Sequence, residues 1–162
     1  MRYRAVVVTV SDKGSVGQRV DTSGPILKEM LEKAYDVAGV IIVPDEVPII
    51  AETIKEQIDR RGIDLVVTTG GTGAGPRDVT PEATRLVIEK ELPGFAEAMR
   101  MESYKITPFA LISRAVCGIR GQSIVVNLPG SPKAAAECLS FVEAAIPHAL
   151  EKVKGDPTDC AR

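Results

Sequence analysis

The chain has 162 residues, 44% of them apolar and 26% charged, with a formal net charge of -2; this make-up belongs to one globular domain and excludes a disordered or fibrous chain. Its 20 basic and 22 acidic residues are mixed along the sequence, aromatics are 4% and Trp is absent, which excludes nucleic acid as a partner, since neither a phosphate track nor a stacking platform is available. The most apolar early stretch, Ala5 to Val10, is too short for a signal-peptide core or a membrane span, so a cytoplasmic protein without a membrane partner is expected.

Ala5 to Val10, Val37 to Val43 and Ile63 to Thr69 are short β-branched runs, apolar throughout, as strands covered on both faces are. Between them lie two helical patterns. The first runs from Pro25 to Ala34, with Thr22 or Ser23 as its cap; the second runs from Pro48 to Arg60, with Ile49, Ile50, Ile54 and Ile58 on one side and Arg61-Gly62 closing it. The order β-α-β-α-β implies an α/β fold with a parallel sheet. A third helix is expected from Thr80 (cap), Pro81 and Glu82 to about Lys90, then a break at Leu92-Pro93-Gly94 and another helix from Phe95 to Tyr104.

Ala115 to Ile119 and Ser123 to Val126 flank Arg120-Gly121-Gln122 and read as a hairpin or strand pair. Ser131-Pro132 opens the last helix, whose stripe includes Ala135, Cys138, Leu139, Val142, Ile146 and Leu150; Pro147 should kink it near Glu143. Residues 1–154 then form a single domain and a disordered tail is expected from Gly155 onward. Cys117 and Cys138 read as small buried hydrophobes, and Cys160 as an exposed thiol in the tail. With no C-x-x-C and His148 as the only histidine, a Cys/His zinc site is not expected.

The densest chemical signal is TTGGTGAGPRDVTPEAT, Thr68 to Thr84, which leaves the third strand and enters a helix. Ligands of such sheets sit outside the carboxyl ends of the strands. Gly70, Gly71, Gly73 and Gly75 are expected to adopt positive φ, so that successive N–H groups cradle a phosphate. Two familiar motifs fail here. Pro76 and Arg77 stand where a P-loop needs Lys and Ser/Thr, and Pro76 takes the last glycine position of G-x-G-x-x-G. Arg77 is suited to neutralising phosphate oxygens and Asp78 to holding Mg²⁺, which favours one or two carboxylates plus substrate phosphates. Asp78 is equally suited to capping a turn.

Three more loops follow predicted strands. SDKGSVGQRVDTSG, Ser11 to Gly24, is long and polar and ends at a helix N-terminus, where phosphate or carboxylate is attracted; Ser11, Asp12 and Ser23 are its candidate substrate contacts. In Pro44-Asp45-Glu46, Asp45 is either a second Mg²⁺ or substrate-orienting carboxylate or the cap of the next helix. In NLPGSPKA, Asn127, Pro129, Gly130, Ser131 and Lys133 are candidate substrate contacts, with Ser131 also a helix cap. In a parallel sheet all four loops open on one edge.

These segments, in this order and spacing, resemble the molybdopterin adenylyltransferases, which are related to the G domains of plant and animal molybdenum-cofactor proteins such as gephyrin. The likeness runs from Val6 to about Leu150. GGTGAGPRDVTPEAT is its most specific part, followed by SDKGSVGQRVDTSG, VPDE and NLPGSPKA. The resemblance implies a three-layer α/β/α fold with a mainly parallel sheet, a homotrimer, and Mg²⁺-ATP-dependent adenylation of molybdopterin with release of pyrophosphate. It places catalytic, metal-organising aspartates at Asp45 and Asp78, nucleotide contacts at Gly70, Gly71, Thr72 and Gly73, and pterin contacts partly near Ser131. Molybdopterin and ATP would be its small-molecule partners, and other molybdenum-cofactor enzymes its protein contacts. One departure is visible: some bacterial members carry an insertion beyond the position of Leu139, and this chain runs directly into its last helix.

The implied nucleophile is the terminal phosphate of molybdopterin. With a second pKa of about 6 a phosphate monoester is largely dianionic at neutral pH and needs no protein base, which fits a chain whose only histidine lies in the final helix. A pterin-binding or scaffold protein of the same fold, without adenylation, is the competing expectation; the intact Asp45, Asp78 and glycine loop argue against it. A flavodoxin-like module would need aromatic flanks that the glycine loop lacks.

Overall fold

The apolar runs Ala5 to Val10 and Ile63 to Thr69 become strands because helices cover both of their faces, whereas the run Val37 to Val43 lies at the sheet edge and, against expectation, stays largely half-exposed. The computed structural model describes residues 1–160, and places six strands in one sheet: β1 (Arg4–Val10), β2 (Asp36–Val43), β3 (Leu65–Thr69), β4 (Lys90–Glu91), β5 (Cys117–Arg120) and β6 (Ser123–Leu128), in the order β2-β1-β3-β6-β5-β4. The first three and β6 are mutually parallel, while β4, β5 and β6 pair antiparallel. The expected strand pair is therefore the β5–β6 hairpin, turning at Gly121 with φ +56°.

Seven α-helices accompany the sheet among the described residues: α1 (Asp12–Ser15), α2 (Ser23–Glu32), α3 (Val47–Lys55), α4 (Thr80–Val87), α5 (Pro93–Tyr104), α6 (Pro132–Val142) and α7 (Ile146–Val153). Val6, Val8, Val66 and Val125 point to one side of the sheet and pack with Ile50, Ile54 and Ile58 of the α3 region and Ala83 and Val87 of α4. Ala5, Val7, Val67 and Val126 point to the other and pack with Leu27, Met99, Leu139, Ile146 and Leu150 of α2, α5, α6 and α7. This is the period-two alternation of strands buried on both faces, and it makes three layers.

Four local expectations change. Residues 88 to 90 are not helical: Glu89 N–H donates to Ile119 O at 2.7 Å and Leu92 N–H to Cys117 O at 2.8 Å, so pairing with β5 overrides the helical pattern. Thr80 is the first helical residue, not the cap, and its hydroxyl donates to Gly70 O at 2.9 Å. Thr22 occupies the N-cap position of α2 as expected, but its side chain makes no capping bond; Asp21 Oδ1 accepts from Gly24 N at 3.0 Å instead. The expected kink at Pro147 is a full break, with α6 ending at Val142, a 3₁₀ turn at Glu143–Ala145, and Pro147 in the first turn of α7.

Cys117 and Cys138 are buried and Cys160 is exposed. After α7 the described residues form no helix or strand, and residues 161 and 162 of the expected tail lie outside the described residues. Among the described residues no helix is long and apolar enough to cross a membrane.

At the edge where the parallel strands begin, Asp64 gathers three partners. Its carboxylate accepts from Arg4 N at 2.7 Å and pairs with Lys154 Nζ at 2.6 Å, and its carbonyl accepts from Ile124 N at 2.9 Å. Chemistry belongs to the opposite edge.

Candidate active site

β1 sends the chain to β2 on one side and β3 takes the other, so a crevice opens between the carboxyl ends of β1 and β3, where ligands of doubly wound sheets bind. A cavity of about 500 Å³ lies there, lined by strand ends Thr9 and Thr69 and by loop residues including Ser11, Asp12, Ser23, Asp45 and Ser131. A second cavity of about 480 Å³ lies across the glycine loop, with Met99, Ile106, Phe109, Ile112 and Cys138 in its largely apolar wall. Gly71, Asp78 and Gly130 border both.

The four expected loops therefore converge. Ser11, Asp12, Ser23, Asp45, Gly70 and Ser131 line the first cavity; Thr72, Gly73, Asn127 and Pro129 line the second. Arg77 and Lys133 line neither. Arg77 is instead a clasp: its Nε and Nη2 donate to the two Asp12 carboxylate oxygens at 3.0 and 3.1 Å, and Nη2 also reaches Glu46 Oε1 at 2.7 Å. Hydrogen bonding to Arg77 holds the Asp12 carboxyl below the usual carboxylate range.

Asp45 faces the other way energetically. Its Oδ2 accepts from Asp12 N at 2.8 Å, but burial, with the charges of Asp12 and Asp78 nearby, raises its carboxyl above the ordinary value. Asp78 Oδ2 accepts from Gly75 N at 2.9 Å.

Of the four loop glycines only Gly70 (φ +100°) and Gly71 (φ +68°) take positive φ. Gly73 and Gly75 are glycine for a different reason. A Cβ at either would stand 2.9 or 2.8 Å from Asp78 Oδ2, closer than packed atoms allow, so their bareness makes room for the carboxylate.

Asn127 contributes little side chain to a ligand. It is wholly buried, its Nδ2 donating to Thr68 Oγ1 and Thr84 Oγ1 at 2.9 Å each and its Oδ1 accepting from Val116 N at 3.1 Å. Ser131 caps α6 through Ala134 N at 3.4 Å, and the buried Ser23 hydroxyl donates to Gly130 O at 2.6 Å, closing one wall.

Three charged residues of the first cavity were not among the expected contacts. Lys13 and Arg19 rim the first cavity with exposed cationic side chains and make no ion pair among the described residues, and Asp21 accepts from Thr9 Oγ1 at 2.8 Å. The signal for the two cations was present: both are basic residues of the polar Ser11 to Gly24 loop already marked as a ligand loop.

Among the described residues no cluster of three or more His, Cys, Asp or Glu side chains is arranged as a complete metal cage. Asp45 and Asp78 do meet the looser demand of Mg²⁺ carried on phosphates, which takes one or two protein carboxylates and keeps its remaining ligands on water and substrate. The raised carboxyl of Asp45 fits a position that a cation would relieve.

The family described as a probable molybdopterin binding domain matches residues 6–148. A molybdopterin adenylyltransferase of Helicobacter pylori strain J99 is 44% identical over 93% of this chain and 87% of its own length, and that of Escherichia coli K12 is 38% identical over 98% and 89%. The Drosophila melanogaster molybdenum cofactor synthesis protein cinnamon is 45% identical, and there the chain spans only 25% of the longer protein. Among solved structures, the molybdopterin biosynthesis enzyme MoaB of Thermus thermophilus superposes with a TM-score of 0.89 at 47% identity, covering 97% of this chain and 99% of that one. The tungsten cofactor synthesizing protein MoaB of Pyrococcus furiosus superposes at 0.87 with 38% identity, covering 94% and 98%. With its glycine loop, its carboxylates and its three layers all in place, this chain belongs to the molybdopterin-binding-domain family that includes the molybdopterin adenylyltransferases.

Proposed function

We propose that this chain adenylates molybdopterin, transferring AMP from Mg²⁺-ATP and releasing pyrophosphate, in the cytoplasm. The observation that carries the reading is the wall common to two cavities: Gly71, Asp78 and Gly130 separate a polar, cation-rimmed space from an apolar one. Two anionic substrates placed on either side would bring their phosphates together at that wall.

The molybdopterin phosphate oxygen bonds to the α-phosphorus of ATP as the bond to the β-phosphate oxygen breaks, and pyrophosphate leaves with that electron pair. The attacking group is already dianionic at neutral pH, so the protein aligns anions and moderates their repulsion. Lys13 and Arg19 at the rim supply positive charge, and backbone N–H groups of the glycine loop supply donors without charge. Asp45 and Asp78 would hold Mg²⁺, and the ion would supply charge neutralisation to the substrate phosphates. Arg77 keeps Asp12, and through it Asp45, in place.

We also propose a homotrimer. The resemblance to the adenylyltransferases supports it, and Tyr104, Ile106, Phe109 and Leu111, 55%, 57%, 76% and 68% exposed along α5 and the chain after it, offer apolar side chains for a neighbouring copy to cover. Sedimentation equilibrium reporting only monomer at micromolar concentration would overturn this assembly.

Asp78→Asn tests the activity. The amide still accepts from Gly75 N, so melting stays near wild type and molybdopterin binding is retained, while adenylated pterin is lost and raised Mg²⁺ restores it only partly. Full turnover in Asp78→Asn would sink the mechanism. A wild-type protein that retains molybdopterin without consuming ATP would make it a binding protein of the same fold.

A further inference from the structure

Arg114 lies outside every segment that the sequence motifs mark, yet it grips the loop of Asp78 at successive points. Its backbone N–H donates to Thr72 O at 2.8 Å, its Nε to Gly73 O at 2.8 Å and its Nη2 to Asp78 O at 2.7 Å, while Nη1 pairs with Glu82 in the first turn of α4. The loop has few other holds in this stretch. Gly75 N to Asp78 Oδ2 and Asp78 N to Gly75 O are internal to the turn, and Thr80 ties only its start, at Gly70 and Gly71.

Behind Arg114 the chain is fixed to the core. Arg100 Nη1 donates to Ala115 O at 3.0 Å, and Val116 N donates to the buried Asn127 Oδ1 at 3.1 Å. Ser113 and Ala115, on either side of Arg114, form part of the apolar cavity wall, but the Arg114 side chain lines neither cavity.

We propose that Arg114 is the positioning residue of Asp78, joining the wall of the apolar cavity to the carboxylate on the border of both. It acts through the loop and not through substrate. A guanidinium suits the task because its rigid fork serves two carbonyls and a carboxylate at once; an ammonium carries the charge without the fork. Loss of the fork leaves the substrate-facing surfaces in place and frees the carboxylate to drift, and phosphoryl transfer is sensitive to misplacements of about 1 Å. This inference rests on the adenylation reading for its kinetic consequence, though not for its structural one.

The test compares wild type, Arg114→Lys, Arg114→Ala and Glu82→Gln for turnover with molybdopterin and Mg²⁺-ATP, for Mg²⁺ dependence, for melting, and for amide hydrogen exchange at Gly75. Arg114→Lys is expected to stay folded by pairing with Glu82, to lose about 100-fold in kcat, to need more Mg²⁺ for half-maximal rate, and to leave KM for molybdopterin nearly unchanged. The Gly75 amide, whose acceptor is Asp78 Oδ2, should exchange faster in Arg114→Lys and in Arg114→Ala. Glu82→Gln keeps both carbonyl contacts and should keep turnover. Wild-type turnover and Mg²⁺ dependence in Arg114→Lys would overturn the proposal, as would lost turnover with Gly75 exchange unchanged. If the wild type itself makes no adenylated pterin, the activity reading fails alone; unchanged Gly75 exchange in both Arg114 variants then overturns the positioning role, and faster exchange upholds it.

Discussion

Asp12 and Asp45 exchange hydrogen bonds: Asp45 Oδ2 accepts from Asp12 N at 2.8 Å, and Asp12 Oδ1 accepts from Asp45 N at 3.0 Å. The two loops that leave β1 and β2 are thereby locked together, but the two carboxylates differ. Arg77 compensates Asp12, whereas Asp45 is held above the ordinary 3.8 chiefly by burial.

A folded-state pKa above the unfolded one means that ionising Asp45 costs stability: the contribution is fully present below 3.8 and is lost as pH rises through the folded value. Asp45→Asn, uncharged throughout, should therefore melt at or above wild type at neutral pH, with the gap narrowing as pH falls toward 3.8. Adenylation should nevertheless be lost. Thermal melts at both ends of that range check the sign, and a variant less stable than wild type at pH 7 contradicts it.

Gly73 and Gly71 should fail differently. Gly73→Ala places a methyl against Asp78 Oδ2, so the expected result is a folded protein with lower Mg²⁺-dependent turnover. Gly71→Ala forces a side chain into the left-handed region beside Thr80, and a stability loss of about 1–3 kcal/mol is expected. Paired urea melts and rate measurements separate the two; equal destabilisation would remove the distinction.

Lys13→Gln and Arg19→Gln should raise KM for the phosphate-bearing substrates by about tenfold each, the worth of one charge-assisted hydrogen bond. Neither has an ion-pair partner to abandon among the described residues, so melting should hardly change. Titration at two ionic strengths gives the check, since the losses should shrink as salt rises.

Asn127→Ala should unfold more readily by about 3 kcal/mol, because two buried threonine hydroxyls and the Val116 N–H lose their partner together. Ser131→Ala should lose far less, about 0.5 kcal/mol, its capping contact being long at 3.4 Å. Chemical denaturation ranks them; a reversed order would return Asn127 to the list of ligand contacts.

β1 and β3 could be read from sequence because strands covered on both faces leave unbroken apolar runs; β2 showed the same apolar run, yet it lies at the sheet edge and stays largely half-exposed. β4 could not: two polar residues, Lys90 and Glu91, carry no period, and backbone pairing with Gly118 and Ile119 alone makes them a strand. The site loops were legible through glycine, proline and carboxylate spacing, which is local. Arg77 was legible as a cation beside the loop, but not its use, since its partners lie 65 and 31 residues away. Arg114 had no signal at all. It reaches Asp78 across 36 residues, and an arginine between two apolar stretches looks like any other.

Asp64, with Arg4, Lys154 and Ile124 gathered on it, fastens the sheet at the edge farthest from the glycine loop. This tie among β1, β3, β6 and α7 stands apart from the loops that carry the chemistry. A protein engineer seeking a hardier variant can rework the Asp64 tie, by trading Lys154 for arginine or shortening what surrounds it, without meeting the usual conflict in which a stiffer enzyme is a slower one.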